Sequence, residues 1–403
     1  MKNCILIILL LLNSELLLSQ IITFPDPIFK SKLIEEGVDT NDDGEIQESE
    51  ALAITTLNVN SSQSETKINN LEGIAYFTNL TDLNCGSNLL STLDVSALLN
   101  LEVLKAYNNQ LSTINVTGLT QLTQLWVDSN QLTSIDVSTL QNLDWLFCST
   151  NQITNLDLSM LSNLKAVWAS NNQISSINLL PFSLLEELLL GINNITNISI
   201  NQQKHLWHLD LFHNNLSEID ILNMPNLLEL RIGENNLVEL DANSTGLEVI
   251  ACENNPNLTT VNVQNNVIST SDPDLLYFGF YFYDLPSLEF ICIDPGEEQA
   301  LSHSGYNPDN VTVTTNPDCS LSMNDYLLNE AYIYPNPVYE NFYIYTKVGI
   351  KNYNLYNFTG SKIIKASVVT ELKNKVSLLP SGVYFLVLES IKGHKKTIKL
   401  IKE

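Results

Sequence analysis

An asparagine returns in phase nine times, at Asn88, Asn109, Asn130, Asn151, Asn172, Asn193, Asn214, Asn235 and Asn255, each closing an L-x-x-L-x-x-x-x-N run or a close variant of it. Seven of the eight intervals are 21 residues and the last is 20. A period this short holds little more than one strand and a return, and a single unit cannot bury its own apolar face. Such units must stack, so that the core runs continuously from one turn to the next.

Within a unit the apolar residues alternate, as at Leu122, Leu125 and Val127, and read as a short strand with its leucines turned inward. A second apolar pair follows the asparagine, as at Leu132 and Ile135. This content at this period is that of a leucine-rich repeat. It predicts an α/β-type solenoid of about nine 21-residue units with a parallel, strand-lined face, spanning residues 54–267. The asparagine falls where the chain leaves the strand, and its amide can satisfy backbone groups that a buried bend would leave unpaired. Cys85, Cys148 and Cys252 share the sixth place of their units with Val127, Leu190 and Ile232, so they read as small buried hydrophobes.

Residues between the inward leucines face out. The fifth place gives Trp126, Phe147 and Trp168 on successive units, the third gives Trp145, and the seventh gives Tyr107 and Phe212. Parallel strands lie about 4.8 Å apart, so Trp126, Phe147 and Trp168 should form one column of rings. The outer face of a sheet has no packing need for such a row, and exposed aromatic clusters mark binding surfaces. Tyr107, Trp126, Trp145, Phe147 and Trp168 are therefore the candidate ligand-binding residues. The alternative is that the rings only cover one another or lie beneath the C-terminal segment.

Residues 1–19 read as a secretion signal: Lys2, then the apolar run Ile5 to Leu12, too short to span a bilayer. Residues 20–53 form an N-terminal cap. Phe24 to Val38 carries Ile28, Phe29, Leu33 and Ile34 at helical spacing and runs into DTNDDGEIQESE, which fits the EF-hand-like pattern D-x-[DN]-x-[DN]-G-x5-E. Asp39, Asn41 and Asp43 would offer side-chain oxygens to one Ca2+, Glu45 its carbonyl, Gln47 a water-bridged contact and Glu50 a bidentate carboxylate. An acidic helix cap without metal is the other reading of the same loop.

After Asn266 the period fails, and residues 268–320 read as a C-terminal cap with an aromatic run. Cys292 and Cys319 are the only cysteines outside the signal and the repeats, and export favours their pairing as a disulfide. A linker at 321–330 leads to a segment of different composition. Residues 331–403 hold 11 of the 19 basic residues and four acidic ones, a net of about +7, while the rest of the chain has 8 basic against 41 acidic residues, a net of about −33. Runs such as NFYIYT, KIIKA and GVYFLVL alternate like short strands and predict a small all-β sandwich.

This last segment resembles the C-terminal sorting domain of type IX secretion substrates from Bacteroidetes. The resemblance rests on YPNPV (Tyr334, Pro335, Asn336, Pro337, Val338), YNFTGSKI, SGVYFLVL (with Gly382 and Tyr384) and the terminal KTIKLIKE. It implies recognition by the type IX machinery and delivery to the outer-membrane surface or the medium. The remainder resembles exported leucine-rich repeat proteins of the same bacteria, broadly like internalins, and implies a binding or adhesion role.

The acidic solenoid, with few cations on its strand face (chiefly Lys105 and Arg231), argues against nucleic acid and anionic membranes as partners. No G-x-S-x-G, H-E-x-x-H, phosphate loop or C-x-x-C is present, and His205, His208 and His213 match no metal spacing. The sequence thus points to a non-enzymatic, exported protein that recognises a protein ligand, with a neutral glycan or a purely scaffolding role as alternatives, and with no transmembrane segment in the mature chain.

Overall fold

A computed structural model describes residues 20–63, 65–179, 182–267, 279–298, 301, 311–315, 328, 331–339, 341–346, 348–390 and 395–403. The expected signal at 1–19, residues 268–278, Cys319 and the linker apart from Leu328 lie outside the described residues. The chain divides into two units, Met1–Leu288 with Ile293–Val311, and Glu289–Cys292 with Thr312–Glu403. Among the described residues no helix is long and apolar enough to cross a membrane.

The first unit is a solenoid. Three-residue strands at Thr56–Asn58, Asp82–Asn84, Val103–Lys105, Gln124–Trp126, Trp145–Phe147, Ala166–Trp168, Glu187–Leu189, His208–Asp210, Glu229–Arg231, Val249–Ala251 and Gly279–Tyr281 form one 11-stranded sheet in sequential order. All pairings are parallel and in register, so the central inward residues line up as Leu104, Leu125, Leu146, Val167, Leu188, Leu209 and Leu230, each fully buried. On the far side the turns are extended or tight, with short parallel pairs at Thr92–Asp94 with Thr113–Asn115 and Glu239–Asp241 with Thr260–Asn262. The sheet outlasts the sequence period, because Gly279–Tyr281 pairs with Val249–Ala251 although no asparagine phase announces it.

The nine asparagines do one job. In Asn172, Nδ2 donates to the Cys148 carbonyl of the preceding turn at 3.0 Å and to Ala169 and Ser170 of its own turn, while Oδ1 accepts the Ile153 amide at 2.9 Å. The same four contacts recur at every position from Asn88 to Asn255. The residue before each asparagine is left-handed, and none of the nine is glycine: Ser87, Asn108, Ser129, Thr150, Asn171, Ile192, His213, Glu234 and Asn254 all have φ between 52° and 58°. A β-branched residue there costs free energy, and the asparagine contacts over-determine the bend. A second, exposed series, unanticipated from the sequence, has Asn79, Asn100, Asn142, Asn163 and Asn226 each donating to a carbonyl of the previous turn at 2.7–3.1 Å.

The N-terminal cap contains helices α1 (Pro27–Glu35) and α2 (Glu48–Ala53). Helix α1 is shorter than its apolar spacing suggested: Phe29 and Leu33 are fully buried, but Ile34 lies outside the contact stripe and is exposed. Asp26 joins cap to solenoid. Its Oδ1 caps α1 by accepting from Ile28 at 2.8 Å, and its Oδ2 accepts from the Asn69 and Asn70 amides at 2.7 and 3.1 Å.

In the second unit an antiparallel sheet runs in the order Lys362–Ala366, Ile350–Asn357, Gly382–Ser390, Lys395–Lys402, with a separate antiparallel pair at Tyr332–Tyr334 and Tyr343–Tyr345. One core joins them through Ile333, Phe342, Leu355, Leu386 and Leu400. The all-β expectation missed one element, helix α3 at Val369–Val376, which docks on that core through Leu372 and Val376, one helical turn apart. Phe290–Cys292 pairs in parallel with Thr312–Thr314. Cys292 is disulfide-bonded; its expected partner, Cys319, lies outside the described residues.

If the asparagine contacts hold the bends, Asn172→Ala should cost about 3 kcal/mol in urea unfolding, since it strands the buried Ile153 amide and takes one of two donors from each of three carbonyls. Gln173→Ala, an exposed neighbour, should cost less than about 0.5 kcal/mol.

Candidate functional site

Register brings the predicted rings together. Trp126, Phe147 and Trp168 are direct partners on adjacent strands, with ring centroids 4.3 Å apart for Trp126–Phe147 and 4.6 Å for Phe147–Trp168. Trp145 meets Phe147 edge-on at 5.8 Å. The four differ in what they show to solvent. Trp145 and Trp168 are 42% and 37% exposed, Trp126 is half-buried, and Phe147, expected as part of the accessible face, is only 1% exposed. The reason is packing: three larger rings close over the phenyl group, so Phe147 props the indoles and cannot itself meet a ligand.

The indole N–H groups are tethered. That of Trp168 donates to Glu187 at 2.9 Å and that of Trp126 to Gln124 at 3.4 Å, while the Lys105 ammonium lies 5.9 Å from the Trp126 ring. Tyr107 is set apart from the column: its hydroxyl accepts from Asn60 Nδ2 at 3.1 Å, and its ring fits only because residue 86 is glycine, where a Cβ would come within 2.8 Å. Beside the column, burial pushes the Asp128 carboxyl up from 3.8 to about 6, against the pull of the Ser149 amide that donates to it at 3.0 Å. Burial also raises the thiols of Cys85, to about 12, Cys148 and Cys252, as fits inert core residues.

The acidic loop folds on its own backbone. Asp39 accepts from the Asp43 and Gly44 amides at 3.2 and 2.8 Å, Asn41 from Asp43 at 2.9 Å, and Asp43 from Glu45 at 2.8 Å. Glu50 accepts from the Thr40 amide and hydroxyl and from the Gln47 amide, and Gln47 bridges Asn41 and Asp43. Ile46 is fully buried, and Gln47 after it forms an isolated antiparallel bridge with Ile21. The donor set is all oxygen, the chemistry a hard cation takes. In this arrangement, no three His, Cys, Asp or Glu side chains among the described residues are gathered as a metal-holding group.

The histidines go separate ways: His213 pairs with Glu234, His208 lies 3.8 Å from Glu229, and His205 is exposed. In the sorting segment, Asn336 accepts from the Ile401 amide at 2.9 Å and donates to the Lys399 carbonyl at 2.7 Å. Tyr334–Pro335 and Asn336–Pro337 are cis peptides, and Tyr334 is exposed. Gly382 opens its strand, and the Tyr384 hydroxyl donates to the Pro380 carbonyl at 2.9 Å.

Residues 332–403 match the secretion system C-terminal sorting domain family. No curated protein matches the chain. Among solved structures the chain is similar to the functional domain of InlJ from Listeria monocytogenes, which includes a cysteine ladder: 23% identity over 94% of this chain and 97% of that one, with a TM-score of 0.49. It is also similar to a leucine-rich repeat protein of Leptospira interrogans (20% identity, 65% and 72% covered, TM-score 0.42). A third similar structure is the leucine-rich effector YopM from Yersinia pestis (21% identity, 54% and 67% covered, TM-score 0.36). The sorting domain marks the chain for type IX export to the cell surface or the medium.

Asp128 provides a pH test of the outer face. Its pKa is higher folded than unfolded, so its contribution to stability is greatest below 3.8 and falls as pH rises through about 6. Asp128→Asn keeps the acceptor for Ser149 and should raise stability at pH 7 by on the order of 2 kcal/mol, with little effect at pH 4. Urea unfolding at both pH values checks this.

Proposed function

We propose that this exported leucine-rich repeat protein is a binding or adhesion module that recognises a protein ligand through its strand-lined aromatic face. The observation that carries this reading is the pair Trp145 and Trp168, both exposed on the sheet and both backed by the buried Phe147 ring. Indoles fixed from beneath lose little conformational freedom on binding, which is what an interface anchor needs. The strongly acidic repeat region directs the choice of partner away from nucleic acid and anionic membranes. A neutral glycan is the second reading, favoured by the acceptors Glu187 and Gln124 that hold the indole edges beside open ring faces.

Trp145→Ala with Trp168→Ala should leave melting within a few degrees of wild type and weaken capture by at least about tenfold on a panel of extracellular proteins and neutral glycans. Unchanged capture by the folded double variant on every surface that holds wild type would contradict the reading, and the class of surface that loses it separates protein from glycan.

The second part of the proposal is one Ca2+ at Asp39, Asn41, Asp43, Glu45, Gln47 and Glu50, stiffening the cap rather than acting as a sensor. Support comes from the all-oxygen donor set on one short loop and from its attachment to helix α2, which begins at Glu48. Calorimetry should show a melting temperature higher in calcium than in chelator, by an amount that grows with calcium concentration. No shift would leave the loop as an acidic helix cap.

A further inference from the structure

Two strands beyond the rings the sheet face changes character. Asp210, Arg231, Ala251 and Tyr281 follow one another in register on adjacent strands. With Phe212, Glu253 and Tyr283 they line a cavity of about 340 Å3, at the small end of the roughly 300–1,000 Å3 of ligand pockets. Glu253 is its unusual member. The residue is 8% exposed, and its carboxylate leans on Gly233, where a Cβ would stand 2.6 Å from the carboxyl carbon. The Tyr283 hydroxyl donates to this carboxylate, yet Oε2 is buried and meets no hydrogen-bond donor among the described residues. The nearest guanidinium already gives its Nε to Glu229 at 2.6 Å, and Asp210 takes the Phe212 amide at 2.9 Å. Burial raises the carboxyl pKa of both Asp210 and Glu253. A buried acceptor left without a donor costs free energy that an incoming donor recovers.

We infer that this cavity is a subsite for a cationic side chain of a peptide ligand, a lysine ammonium or an arginine guanidinium, held at Glu253 and Asp210 between the rings of Tyr281, Tyr283 and Phe212. The missing partner must donate, and a charged donor also balances two carboxylates that share one guanidinium already paired to a third, Glu229. Ring faces attract the same charge. An anion would meet Asp210 and Glu253 in the lining, with the charges of Glu229 and Glu234 close behind them, and is disfavoured. The subsite shares no residue with the Trp126–Trp168 column and does not rest on the function proposed for it.

The test titrates the full-length protein at neutral pH with Nα-acetyl-arginine amide and Nα-acetyl-lysine amide. Their neutral counterparts are the citrulline and norleucine amides. At least one cationic probe should bind saturably and about tenfold more tightly than its neutral counterpart, and Glu253→Gln should weaken it by a similar factor. Should that variant fail to fold, Tyr281→Ala carries the same expectation. Trp145→Ala with Trp168→Ala should leave probe affinity unchanged, so failure of the ring reading and failure of this one are distinguishable. The inference is overturned if neutral and cationic probes bind alike, if neither cationic probe saturates, or if a folded Glu253 or Tyr281 variant binds as wild type does.

Discussion

Everything in the solenoid hangs on one side-chain amide repeated nine times. Each asparagine closes a bend that carries a left-handed residue, satisfies two carbonyls of its own turn, and ties both its oxygen and its nitrogen to the turn before. Leucines drive the stacking, since apolar burial is the largest favourable term, but burial has no direction and would tolerate a slipped turn. The amide contacts do not, because a shift of one residue would leave buried polar groups unpaired. The ladder thus converts a greasy stack into a fixed register.

That register makes the outer face a surface that can recognise something. Side chains 21 residues apart become neighbours, so Trp126, Phe147 and Trp168 meet although nothing local in the chain joins them. The same translation sets Asp210 beside Arg231, and the shorter last interval of 20 residues sets Arg231 beside Ala251. One face therefore holds an aromatic region and an acidic pocket, on strands that the core fixes from behind. At the other end of the chain, the motif residue Asn336 clasps the last strand from the side, which ties the start of the sorting domain to its end.

The sequence made the repeat, the strand phase and the inward leucines legible because each repeats nine times in one period. What it hid was whatever depended on neighbours in three dimensions. Phe147 occupies an outward position yet is buried, since exposure depends on the size of flanking rings rather than on strand parity. Left-handed bends at Thr150 and Ile192 carry no glycine to betray them, because tertiary contacts rather than local preference enforce that geometry. Glu253 at the seventh place could have been noticed beside Phe212, but Tyr281 stands past the point where the period breaks, so the pocket they share had no sequence signature. Helix α3 was missed because its eight residues sit among strand-like runs, with only Leu372 and Val376 marking a helical stripe.

The most direct measurement is native-state hydrogen exchange at the amides that donate to the ladder: Leu111, Leu132, Ile153, Ile174, Ile195 and Leu216. These amides lie outside the strands of the 11-stranded sheet, so ordinary loop behaviour would give fast exchange. If the asparagines lock the turns together, all six exchange as slowly as the central strand amides, through unfolding of the solenoid as a whole. Rapid exchange at these positions, with the strands still protected, would show that the leucine core alone holds the register.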